Sequence, residues 1–135
     1  MKKLISMVIV IVIALTFCTS VFADFGTYST GSTNYNNTLR ISGTTATCKS
    51  FYTVEGENVS KVVITQSLEK QGFLWIWSKA AGEWSKTSDG SSTVLTNTVS
   101  GLSKGTYRVK TTFTVTDKYS ETETVTIYSS TQRCG

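Results

Sequence analysis

Gly105-Thr106-Tyr107-Arg108-Val109-Lys110-Thr111-Thr112-Phe113-Thr114-Val115-Thr116-Asp117 is the stretch that decides the fold. In an extended chain Tyr107, Val109, Thr111, Phe113 and Val115 fall on one side. Thr106, Arg108, Lys110, Thr112, Thr114 and Thr116 fall on the other. A period of two held over this length describes a strand that packs its odd face and wets its even face. One-sided strands of this kind belong to antiparallel sheets, which cover one face with core and leave the other in water.

Working outward, short β-type runs alternate with turn signals. Runs 39–45 and 46–54 come first, and in the second Cys48, Ser50, Tyr52 and Val54 share a face. Residues 55–58 turn the chain, and run 61–70 follows with Val62, Ile64 and Leu68 on one side. Gln71-Gly72 breaks it. Run 73–79 reads as a two-sided apolar strand, with Phe73, Trp75 and Trp77 on one face and Leu74 and Ile76 on the other. A turn is expected at 80–82, a short strand at 83–87 and a plain turn at Ser88-Asp89-Gly90-Ser91. Runs 93–100 and 120–130 complete the set, Val125 and Ile127 facing inward in the last. Seven or eight strands at this spacing predict an all-β antiparallel sandwich over residues 39–135.

Composition agrees. Thr and Ser are abundant, Pro is absent and no helical period extends beyond the first residues. Residues 1–23 read as a secretory signal peptide: Lys2 and Lys3, an apolar run, then Val21-Phe22-Ala23. Phe17 before Cys18 spoils a lipoprotein pattern, and an uncleaved anchor is the competing reading. The expected address is secreted, with membrane contact only through the leader before cleavage. Residues 24–38, rich in Gly, Ser and Asn, read as a flexible N-terminal arm or a short edge strand. Without Lys2 and Lys3 the 13 basic residues become 11 against 9 acidic, and net charge falls from +4 to +2. That charge is scattered, so nucleic acid is not an expected partner.

Leu102-Ser103-Lys104-Gly105-Thr106-Tyr107-Arg108-Val109 resembles the start of the penultimate strand in immunoglobulin-like and fibronectin type III domains. The resemblance implies that the Tyr107 hydroxyl closes a corner by bonding backbone upstream. Ile41-Ser42-Gly43-Thr44-Thr45-Ala46-Thr47-Cys48, Leu68-Glu69-Lys70 and the tail 121–130 are similar to a group of small secreted proteins of Gram-positive bacteria. That resemblance implies a fold and an address and supplies no activity. Val109 stands where antibody-type domains carry their second cysteine. After leader cleavage Cys48 and Cys134 remain, and an even count in an oxidising compartment leads to the expectation that they pair. Two free thiols are the alternative.

The chain has no histidine, which excludes Ser-His-Asp and Cys-His catalysis and the usual zinc sites. Glu121 with Glu123, and Glu55 with Glu57, are spaced as pairs, yet nothing apolar surrounds them to raise a pKa. A calcium site at Asp89, Asp117 or Glu55 lacks the dense acidic loop it needs. No catalytic residue, metal or cofactor is expected. The aromatic group Phe73, Trp75, Trp77 and Trp84 is the candidate binding site. A hairpin aligning these rings on one face would stack sugars and bind cell-wall or extracellular glycan without being an enzyme. The competing readings are a core tryptophan with edge-closing neighbours, and a structural or protein-interaction module with no glycan ligand. A membrane-contact surface is disfavoured by the lack of a basic amphipathic helix or long apolar hairpin.

Overall fold

The structure, a computed structural model, describes residues 33–54, 58–90 and 92–135. The leader, residues 24–32 of the arm, Glu55 to Glu57 of the expected turn at 55–58 and Ser91 of the turn at 88–91 lie outside the described residues. Eight strands run β1 (Thr33–Ser42), β2 (Thr45–Val54), β3 (Val59–Gln71), β4 (Trp77–Ser88), β5 (Ser92–Val99), β6 (Gly105–Asp117), β7 (Thr122–Tyr128) and β8 (Gln132–Cys134). They form two antiparallel sheets, ordered β1-β2-β5 and β4-β3-β6-β7, with β8 added beside β6. This is an immunoglobulin-like sandwich. Strands β1, β2 and β5 stand where such domains place A, B and E, while β3, β6 and β7 stand at C, F and G.

The decisive strand, β6, spans the residues read from the sequence, and Tyr107, Val109, Thr111 and Phe113 are buried on its odd face. Beside them in the same sheet stand Val62, Ile64 and Leu68 of β3, and across the sandwich Cys48, Ser50 and Tyr52 of β2. Three departures from the sequence reading have local causes. Thr33 to Thr38, read as the end of the arm, already belong to β1, because Asn37 is buried and donates to Thr111 Oγ1 across the sandwich at 3.0 Å. The turn expected at 80–82 is absent. There β4 continues through irregular register against β3, with Gly82 at φ +75 absorbing the extra length. Strand β8 follows a short break at which the Ser129 hydroxyl accepts the Val109 amide at 2.8 Å.

The core divides into two apolar clusters. One holds Leu39, Ala46, Cys48, Leu68, Tyr107, Val109 and Cys134, and the other Tyr52, Val62, Ile64 and Phe113. Between them lies a buried polar chain linking β1, β6, β2, β3 and β5. Asn37 bonds Thr111, Thr111 bonds Ser50 at 2.7 Å, and Gln66 Nε2 donates to Ser50 Oγ at 2.7 Å. Asn97 Nδ2 donates to Gln66 Oε1 at 2.9 Å, closing the chain on the far strand. Buried polar groups are tolerated when each finds a partner, and here each side chain does. Replacing Gln66 with Leu strands the Asn97 amide and leaves the Ser50 hydroxyl with Thr111 alone, and is expected to lower unfolding free energy by about 2 kcal/mol in urea titrations.

The second cluster carries an aromatic group. The Tyr35 and Tyr52 rings lie 5.5 Å apart and each faces Phe113. Burial, then the Glu123 carboxylate, pushes both phenols from the usual 10 up to about 12. Burial alone pushes the Cys48 thiol from 9 up to about 11. These groups stay protonated in the folded chain where the unfolded chain has ionised. Their contribution is complete below about pH 9 and is lost as pH rises through the folded values. The urea midpoint is therefore expected to hold steady to about pH 9 and to fall towards pH 12. Tyr52→Phe should flatten that fall without weakening the fold at neutral pH, because among the described residues the Tyr52 hydroxyl is buried with no partner.

Candidate functional site

Gly72 follows the end of β3 in extended backbone, and the chain reverses over the next residues. The Gly72 amide donates to Ile76 O at 2.7 Å, closing a tip in which Phe73–Trp75 make a single 3₁₀ turn. Leu74 and Trp75 adopt φ 56 and 58, the left-handed region that costs a branched or bulky residue roughly 1–2 kcal/mol. Nothing covers them. Phe73 is 84 % exposed, Leu74 64 %, Trp75 76 % and Ile76 64 %. The run read as a two-sided strand is thus a protruding apolar tip, which resolves why both of its faces were apolar: neither is core.

Trp77 and Trp84 do not join Phe73 and Trp75 on one face. Seven positions separate the two tryptophans, an odd number, and the β4 register leaves them on opposite sides of the sheet. Trp77 pairs with Gln71 on the outer face, whereas Trp84 pairs with the buried Gln66 and folds its ring over Gly82, where a Cβ would collide with it. Both are half-buried. On the outer face the Arg108 guanidinium lies 4.2 Å from the Trp77 ring and 4.0 Å from the Tyr128 ring, and its Nε donates to Glu69 Oε1 at 2.8 Å. The four-ring platform expected from the sequence is therefore split into an exposed tip (Phe73, Trp75), a capped ladder (Trp77) and an edge cover (Trp84).

Tyr107 fills its corner role: its hydroxyl donates to Ser103 O at 2.6 Å, locking the loop before β6. The expected bond between Cys48 and Cys134 is not formed; both thiols are free and buried in the same cluster. Cys48 sits mid-strand opposite Leu39, whereas Cys134 points at Gly43 O and Leu102 O at the strand ends, 3.5 and 3.8 Å away. Cys48 lies three residues into β2, and Cys134 is the last residue of β8. Asp117 serves its own turn, accepting the Tyr119 and Glu121 amides. Glu121 is exposed and Glu123 lies in β7 opposite Val115. Among the described residues no three of His, Cys, Asp and Glu gather as metal ligands, and no helix is long and apolar enough to cross a membrane.

The sequence reading missed Leu74 and Ile76 as surface residues and Tyr128 as the second ring on Arg108. The signal for the first was present in the run Gly72-Phe73-Leu74-Trp75-Ile76, where a hairpin connection was due. Tyr128 gave none, since its register opposite Lys110 depends on where β7 begins.

No protein-family model matches the chain, and no curated protein does. Among solved structures, wild-type OgpA from Akkermansia muciniphila is similar at 8 % identity with a TM-score of 0.38. The similarity covers 80 % of this chain and 31 % of that one, so the chain spans under a third of its length. At that level it transfers neither a residue nor an activity.

The ladder makes its own prediction. Arg108→Met keeps the stem between the rings but leaves Glu69 without its partner, and should cost about 2 kcal/mol of stability in urea titrations. Glu69→Gln in the same background should restore part of that loss.

Proposed function

We propose that this is a secreted, non-enzymatic binding module whose contact element is the tip Phe73 to Ile76. One observation carries the reading: consecutive large apolar side chains stand exposed on a turn whose backbone is strained. A surface that holds such residues out of the core against both hydration and backbone preference is the usual mark of a contact site. Burying each of these side chains in a target would contribute about 1.5–3 kcal/mol. The sandwich behind it is a rigid support, with Tyr107 fixing one loop and Gly72 the other.

Binding rather than catalysis is supported by the lack of histidine in the sequence and by the solvent-facing position of Glu121. A cell-wall or extracellular glycan, stacking on the flat rings of Phe73 and Trp75, is one target class this tip would serve. Leu74 and Ile76 protrude beside those rings, so the tip favours targets with apolar surface over a purely sugar-stacking role.

The test is retention on bacterial envelope preparations containing both wall and membrane. Trp75→Ala should reduce retention about tenfold. Leu74→Asn should reduce it as well while leaving the fold at least as stable, because Asn accepts the left-handed conformation that strains Leu. Equal retention of wild type and both variants would end this reading.

A further inference from the structure

The tip does not stand alone. Around it, at the same pole, lie Lys70, whose Nζ reaches Ser103 Oγ at 2.7 Å, and Lys104, which lies against Gly135. Arg133 of β8 sits opposite Thr106 at the start of β6, and Lys79 follows the tip in β4. The carboxylates nearest them are engaged: Glu69 holds Arg108, and Glu83 shares an exposed ion pair with Lys79. At the opposite pole, where Lys118 N meets Asn58 O, the balance reverses. By strand pairing, Asp89, Asp117, Glu121 and Glu123 lie towards that end with Lys61, Lys86 and Lys118. Scattered in sequence, the charge is sorted in space.

From this coincidence we infer that the tip docks on an anionic lipid bilayer, the apolar side chains entering the headgroup boundary and the basic collar resting on the lipid charge. The inference rests on the tip being the contact element. Trp is at home in the interfacial zone, and Phe, Leu and Ile in the acyl region just below it. Basic groups placed within a Debye length of such a surface are attracted to it. A neutral glycan would use the rings and ignore the collar, whereas an anionic bilayer uses both. Membrane contact was expected only through the leader; the tip supplies a second route because residues 73–76 leave the strand and project from the basic pole.

The experiment follows tryptophan emission of the full chain with vesicles of phosphatidylcholine alone or mixed with phosphatidylglycerol, including brominated lipids as quenchers. All three tryptophans lie at 75, 77 and 84, so the leader is silent in this readout. The expected result is a blue shift with bromine quenching on mixed vesicles, lost in Trp75→Phe, where the reporter is gone. Partitioning should weaken about tenfold in Ile76→Asp and about fivefold each in Lys104→Gln and Arg133→Gln. It should also weaken as salt rises. No shift and no quenching on mixed vesicles would overturn the lipid inference. If Trp75→Ala still lowers envelope retention in that event, the tip remains the contact element with another target. If it does not, both readings fall.

Discussion

The amide of Gln66, held at the centre of the sandwich between Ser50 and Asn97, is the constraint on which the remaining geometry depends. Apolar contacts hold two sheets together without fixing how they slide, because one branched side chain packs almost as well as the next. A buried amide with both ends engaged tolerates no such slip: moving β3 by one residue would expose it to unpaired groups. With Asn37 and Thr111 extending the chain to β1 and β6, both sheets are locked in one register. That register sets everything above it, including where β3 stops and the tip starts.

Much of this was legible from residue order. The alternation in β6 gave its limits and its buried face but not its neighbours, and Leu102-Ser103-Lys104-Gly105-Thr106-Tyr107 correctly announced the corner bond to Ser103. Parity failed at 73–77, where alternation of Phe and Trp imitates a strand. A 3₁₀ turn of left-handed residues leaves no compositional trace when those residues are Leu and Trp, types that seldom adopt it. The polar chain was half visible: Ser50 and Thr111 fell on inward faces, but Gln66 drew no notice among Val62, Ile64 and Leu68. The cysteines show the limit of counting, since an even number says nothing about the geometry that a bond between two thiols requires.

The tip and its scaffold divide their tasks. Most scaffold residues satisfy alternation, paired polar groups and a closed corner together, the unpartnered Tyr52 hydroxyl and the irregular register of β4 apart. At the tip, backbone preference and solvation are both violated within a single turn. Such localised conflict is what a functional element looks like in an otherwise consistent chain. The ladder of Trp77, Arg108 and Tyr128 lies between the two regimes, covering the outer sheet next to the tip with rings whose faces are already occupied.

Strand β4 has one further consequence, for the company this molecule keeps. It is the outermost strand of its sheet, and a long straight edge beside a sticky tip would invite strand-on-strand polymerisation. Its register breaks, the turned backbone at Gly82 and the lysines at 79 and 86 spoil that template. Lys86 goes further, crossing to bond Val94 O on the neighbouring edge at 2.9 Å and so occupying an acceptor that another copy would need. The same irregularities that misled the reading of residues 80–82 make this edge a poor template for another strand.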